Sequence, residues 1–138
     1  MRFRLRALVR RSRAGNTAQI EVSCDPGAAD RLSAAQAVQL ANIAREALSN
    51  GLRHAKSQRM EIALRSERES VVLEISDDGA GFDPKSPPRR GDGLASMATR
   101  AQEMGGTLDI QSSPDRGTRV VVCVPAFPLE PGGAGFKI

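Results

Sequence analysis

Apolar residues recur along the chain in two rhythms, and the switches between them mark out its elements. Leu5, Leu8 and Val9 stand at helical spacing among the arginines of Arg2 to Arg13, until Ala14-Gly15-Asn16 breaks the pattern. Ile20, Val22 and Cys24 alternate with polar residues, the sign of a strand with one buried face, and Asp25-Pro26-Gly27 closes it. Ser33-Ala34-Ala35-Gln36 fits a capping box and predicts a helix running to about Ala55, with Leu40, Ile43, Ala44, Ala47, Leu48 and Leu52 as its apolar stripe. Met60/Ile62/Leu64 and Val71/Leu73/Ile75 then alternate on either side of the charged turn Glu67-Arg68-Glu69-Ser70, which predicts a hairpin. Asp77 to Gly93 holds too many glycines and prolines for a regular element and reads as a loop. A helix follows with Leu94, Met97, Ala98, Ala101 and Met104 on one side, ended by Gly105-Gly106. Leu108/Ile110 and Val120/Val122/Val124 give two last strands around Pro114-Asp115-Arg116-Gly117, and the Pro- and Gly-rich stretch after Phe127 reads as a mobile tail.

Strand, helix, two strands, loop, helix, two strands, with short turns between adjacent strands, predicts an α+β two-layer sandwich. Its sheet is mixed but mostly antiparallel, with the helices on one face. A doubly wound fold would need regular alternation and longer crossovers. The expected divisions are 1–13, a terminal helix or linker; 14–127, the folded domain; and 128–138, the tail.

Composition narrows the function classes. The 138 residues, 40% of them hydrophobic, suit one domain with one packed core. No apolar run approaches the roughly 20 residues of a membrane span, and the N-terminus lacks the apolar stretch and small-residue cleavage site of a signal peptide. Cys24 and Cys123 each sit in an alternating apolar segment, without a CxxC pair, and read as reduced core thiols in a cytoplasmic protein. The net charge of +4 is concentrated at one end: six of the 20 basic residues are Arg2, Arg4, Arg6, Arg10, Arg11 and Arg13, and without them 14 basic groups face 16 acidic ones. With aromatics at 3% and neither Trp nor Tyr, stacking platforms for nucleic acid are largely lacking, so direct nucleic-acid binding is not expected.

Three constellations could carry chemistry. Glu46, Asn50 and His54 are spaced i, i+4, i+8 on the long helix, forming a polar row that either faces a cleft or is simply a solvated edge. In a cleft, the Asn50 amide oxygen would suit a Mg²⁺ ion that takes its other ligands from phosphates and water. Gly51 costs a helix about 1 kcal/mol relative to alanine and suggests close approach of another group. Asp77-Asp78-Gly79-Ala80-Gly81 ends a strand, and is either an acid-glycine turn or a site where Asp77 accepts from an exocyclic amine beside backbone bared by Gly79 and Gly81. Arg90-Gly91-Asp92-Gly93-Leu94 leads into a helix, either as a flexible loop with an Asp N-cap or as a phosphate-binding N-terminus. The common alternatives fail. Lys56, Lys85 and Lys137 are not preceded by GxxxxG, neither glycine cluster sits between a strand and a helix as a Rossmann loop does, and neither GxSxG nor HExxH occurs.

In this order the three pieces resemble the GHKL superfamily, which includes gyrase, the large heat-shock chaperone, histidine kinases and mismatch-repair proteins. Arg45 to Ala55 is similar to its N box, Asp77 to Gly81 to its DxGxG box, Gly91 to Leu94 to its second glycine box, and Gly117-Thr118 to its late Gly-Thr pair. Arg53-His54-Ala55, the short proline-containing lid and Gly93-Leu94-Ala95-Ser96-Met97-Ala98-Thr99-Arg100-Ala101 further resemble histidine kinases of the nitrate-sensor and desaturase-thermosensor type. The resemblance implies a Bergerat-type ATP-binding fold, with ATP and Mg²⁺ as cofactors. Asn50 would ligate Mg²⁺, Asp77 would bond the adenine amine, and Thr118 would support Asp77 through water. Gly79, Gly81, Gly91, Gly93 and Leu94 would shape the pocket and lid, and Arg53 and His54 would lie near the phosphates. Glu46 matches the glutamate that activates water in the ATPase branch and is the candidate catalytic base.

The partners so implied are a histidine-bearing dimerisation domain and, through it, a response regulator, in a homodimeric parent that is either soluble or membrane-anchored. Two departures stand out. Asp92 places a negative charge where members of the resembled family often carry a neutral or basic residue. No phospho-acceptor helix is present, and His54, the sole histidine, belongs to the N box. The chain is therefore expected to bind ATP without phosphorylating itself, and Arg2 to Arg13 to be the end of a dimerisation helix whose apolar side has lost its partner. A stand-alone anti-sigma-factor serine kinase is the alternative of similar length.

Overall fold

The computed structural model describes residues 1–12, 17–83 and 93–127. The alternating segments become five strands: β1 (Gln19–Cys24), β2 (Arg59–Glu67), β3 (Ser70–Asp77), β4 (Thr107–Ser112) and β5 (Thr118–Pro125). They form one sheet in the order β1-β2-β3-β5-β4. The pairs β2–β3, β3–β5 and β5–β4 are antiparallel, as short turns require. β1 lies parallel to β2, and the chain between them is long enough to cross the sheet because it holds the main helix.

The helices are α1 (Arg2–Ser12), α2 (Pro26–Ala29), α3 (Ala34–Ser49) and α4 (Leu94–Glu103). Met60, Ile62 and Leu64 of β2, Val71, Leu73 and Ile75 of β3, and Val120, Val122 and Val124 of β5 form one buried face. It packs with Leu40, Ile43, Ala44 and Leu48 of α3 and Met97 and Ala101 of α4. Each such aliphatic side chain contributes roughly 1.5–3 kcal/mol by leaving water, which is why strand periodicity fixes the face that meets the helices. The α+β sandwich with a mixed, mostly antiparallel sheet is thus the observed architecture.

Local features bear out some sequence expectations and change others. Asp25-Pro26-Gly27 ends β1 but also opens α2, with the Asp25 side chain accepting from the Gly27 amide at 3.0 Å and Pro26 at the first helical position, where its missing N–H costs nothing. The capping box of α3 is formed in both directions: the Ser33 hydroxyl accepts from the Gln36 amide at 3.1 Å, and the Gln36 side chain accepts from the Ser33 amide at 2.9 Å. α3 does not continue regularly to Ala55. Residues Asn50–His54 form a π-helical turn, closed by the Ala55 amide donating to the Asn50 carbonyl at 3.0 Å.

The apolar side of α1 has a partner within the domain. Leu5, Leu8 and Val9 are buried in the same core as the sheet, so this side is not orphaned as the sequence suggested. Cys24 packs against the core, but Cys123 lies on the opposite face of its strand from Val120, Val122 and Val124 and is partly exposed. It is not a core thiol.

That opposite face is organised by charge. Glu74 on β3 accepts from Arg65 on β2 at 2.9 Å and from Arg119 on β5 at 2.6 and 3.1 Å. The Arg119 guanidinium foremost, with Arg65 beside it, holds the Glu74 carboxyl below its ordinary range, against the opposing effect of partial burial. The expected tail, 128–138, the break at 14–16 and most of the expected lid lie outside the described residues. No helix among the described residues is long and apolar enough to cross a membrane.

Candidate functional site

A slot of about 170 Å³ opens between the end of α3 and the ends of β3 and β5. Its walls are apolar where Ala47, Ile75, Phe82 and Val120 face it, and polar at Asn50, Asp77 and Thr118. That volume accommodates a flat ring rather than a whole nucleotide, since sites enclosing larger ligands run to roughly 300–1,000 Å³. Gly81 and Leu94 also line it. Asn50, Asp77, Gly81, Leu94 and Thr118, singled out from the sequence, therefore converge on one cavity.

Strand register places the two polar groups of the floor. Asp77 and Thr118 are partners in the β3–β5 ladder. Asp77 Oδ1 accepts from the Gly79 amide at 2.8 Å, which fixes the carboxylate and leaves Oδ2 as an acceptor. A methyl group on Gly51 would come within 3.4 Å of that Oδ2 and within 2.5 Å of the Met60 Cε. The close approach suspected from a glycine inside a helix is the packing of the π turn over Met60 and Asp77.

Thr118 is held by a residue that sequence reasoning passed over. The Ser112 and Thr118 hydroxyls are 2.9 Å apart, and Ser112 Oγ accepts from the Phe82 amide at 2.9 Å. One serine on β4 thus joins the slot's floor to the loop carrying its aromatic wall. Nothing local in the sequence marks it, because its partners are brought there by register and by a loop 30 residues away. Phe82, which directly follows the glycine run, also lines the slot.

The adjacent acids Asp77 and Asp78 have separate tasks. Asp78 Oδ1 accepts from the Gln58 and Arg59 amides at 2.8 and 3.0 Å, tying the end of β3 to the start of β2. These backbone donors, Arg59 first, hold its carboxyl below the usual range.

Asn50 sits where α3 passes into the π turn, and its side-chain amide has no hydrogen-bond partner among the described residues. Glu46, one turn earlier, does not line the slot. Its carboxylate abuts Gly93, and a methyl group there would come within 2.8 Å of the Glu46 carboxyl carbon. Gly93 is the N-cap of α4, at φ 78°, so the Asp N-cap considered from the sequence is not what starts this helix. Glu46 and Arg53 line a neighbouring cleft. Gly79 packs behind Asp77 on Ala55 and Ser57. His54 closes the π turn; its side chain lies outside the described part of the structure. Gly91, Asp92 and the segment from 84 to 90 lie outside the described residues.

The polar ends, the glycine contacts and the sandwich together define an ATP-binding domain, and the chain belongs to the histidine kinase-, DNA gyrase B- and HSP90-like ATPase family, whose model matches residues 35–128. Among curated relatives it is 42% identical over 86 residues to the sensor protein VraS of Staphylococcus saprophyticus, covering 62% of this chain and 25% of that protein. It is 38% identical over 93 residues to the sensor histidine kinase LiaS of Bacillus subtilis, covering 67% of this chain and 26% of that one. The chain thus spans about a quarter of the length of these relatives. A blue-light activated histidine kinase from Erythrobacter litoralis shares the fold, with a TM-score of 0.76 at 18% identity over 91% of this chain and 41% of that one.

Proposed function

We propose that this chain is the catalytic, ATP-binding unit of a sensor histidine kinase, delivering the γ-phosphate to a histidine on a separate dimerisation domain and thence to a response regulator. The observation that carries the reading is the pairing of an unengaged Asn50 amide with a fixed Asp77 carboxylate on one apolar slot. The likeness to sensor kinases supports it. The parent protein is then a homodimer with this unit in the cytoplasm.

In this reading Asp77 Oδ2 accepts from the exocyclic amine of adenine. The Thr118 hydroxyl, oriented by Ser112, holds a water between Asp77 and the ring. Ala47, Ile75, Phe82 and Val120 exclude solvent from its faces. The residues fit a Mg²⁺ ion that depends on the nucleotide. No cluster of three His, Cys, Asp or Glu able to hold a metal occurs among the described residues, but a single neutral amide oxygen, that of Asn50, stands at the slot and suits an ion completed by phosphates and water. Such an ion supplies charge neutralisation at the transferring phosphoryl group. Arg53, His54, Gly91 and Gly93 serve the phosphates and lid, and Glu46 orients or deprotonates the attacking group. Catalysis is then chiefly positioning.

Transfer of label from γ-labelled MgATP tests this reading. Incubation of the chain with a histidine-bearing dimerisation domain should give acid-labile label on that histidine, whereas the chain alone should stay unlabelled. Acid-stable label on a serine of a partner would overturn the reading.

A further inference from the structure

A second cleft, of about 440 Å³, opens between α1 and the C-terminal half of α3. Arg11, Arg45 and Arg53 line it, against a single carboxylate, Glu46. None of the three guanidinium groups has an ion pair or hydrogen bond to another described residue. Arg65 and Arg119 engage Glu74, Arg100 engages Gln39 and Arg31 engages Ser66, whereas Arg4, Arg6 and Arg10 are unengaged on the outer side of α1; what sets Arg11, Arg45 and Arg53 apart is that they share one cleft. Leu8 and Leu52 add apolar surface to the cleft. A groove between two helices with apolar surface and forked cations suits a third, acidic helix, because guanidinium groups bind carboxylates through paired, planar hydrogen bonds.

Glu46 locates the occupant. It belongs to this cleft and also abuts Gly93, the residue before Leu94 of the slot. Asn50 follows one turn further along the same polar row. A segment seated in the cleft therefore lies beside the edge at which a phosphate chain would leave the slot.

We propose that the α1–α3 cleft docks an acidic helical segment of the domain carrying the acceptor histidine, with Arg11 and Arg45 pairing with its carboxylates. The identity of that partner rests on the histidine kinase reading. α1 is then more than a connector: it forms one wall of the docking site, and its outward arginines, Arg4, Arg6 and Arg10, with no acid anywhere on the helix, steer the approach.

The test uses the full chain and two helical peptides of about 20 residues, long enough to hold helix, each with a central histidine and either four glutamates or four glutamines. Anionic phosphatidylglycerol vesicles serve as a third probe. The glutamate peptide should bind at low salt, and the pair Arg11→Glu/Arg45→Glu should weaken it at least about tenfold while MgADP affinity is retained. The outward pair Arg4→Glu/Arg10→Glu should have a much smaller effect. Equal weakening by both pairs, equal binding of the glutamine peptide, or binding of vesicles without binding of the peptide would overturn the proposal. Failure of the unaltered chain to bind MgADP would instead overturn the nucleotide reading, and the peptide results would still decide the cleft.

Discussion

Gly117 and Gly105 offer a matched test of how the slot is built. Both adopt left-handed backbone, at φ 78° and 71° respectively, so alanine at either incurs about 1–2 kcal/mol of conformational strain. Their surroundings differ. A methyl group on Gly105 would meet nothing nearer than the Pro125 Cγ at 3.9 Å. On Gly117 it would run into the carbonyl oxygen of Asp77 and stand 3.2 Å from the Asp78 Cα. Backbone on the slot's own strand cannot swing aside as a flexible side chain does, so overpacking should add a further ~1–3 kcal/mol. Gly105→Ala is thus expected to lose about 1–2 kcal/mol and Gly117→Ala about 2–5 kcal/mol, the sum of those two effects. Urea unfolding measures both, provided the dependence on denaturant is unchanged. Because the strain in Gly117→Ala falls on Asp77, the fraction that remains folded should also bind MgADP more weakly, while Gly105→Ala should bind as the unaltered protein does. Equal losses of stability, or an unchanged nucleotide affinity in Gly117→Ala, would refute the idea that the β4–β5 turn holds Asp77 in place.

Two other outcomes follow from the packing and the charges. Leu5 on α1 is fully buried, so Leu5→Ala should cost about 2–5 kcal/mol in urea unfolding; a loss below about 1 kcal/mol would mean that α1 is a loosely attached connector. Glu74 has its folded-state pKa depressed, chiefly by Arg119, so its contribution is present above the ordinary glutamate range and is lost as pH falls through the depressed folded value. Glu74→Gln should therefore be the less stable protein at pH 7, with the difference closing below about pH 4 as the native carboxyl itself protonates. A difference that is constant with pH would contradict this.

What the sequence made legible was local. Period-two alternation identified the strands, because each buries one face only. The Ser33/Gln36 capping box marked the start of α3, and Gly105-Gly106 its counterpart at the end of α4. There the Gly106 amide donates to Ala101 and the Gly105 amide to Gln102, both at 2.9 Å. Asn50, Asp77 and Thr118 were identified by motif. What stayed hidden depended on register or on distant contact. Ser112 matters only because β4 lies beside β5 and Phe82 returns to it. Asp78 resembles Asp77 in sequence, yet ties down the start of β2. Gly51 signalled a close approach, but neither the π turn nor the approaching group, Met60 from another strand, was legible in it. α1 looked orphaned because helical periodicity shows that a face is apolar without showing what covers it.

The claim on which the rest depends is that a nucleotide occupies the slot between Asn50 and Asp77, and calorimetric titration of ADP with and without Mg²⁺ tests it most directly. The unaltered chain should bind ADP more tightly with Mg²⁺ than without. Asn50→Ala should lose that dependence while keeping its fold. Asp77→Asn should lose affinity by about tenfold or more under both conditions, since it presents an amide where the adenine amine needs an acceptor. Unchanged Mg²⁺ dependence in Asn50→Ala together with unchanged affinity in Asp77→Asn would contradict the account.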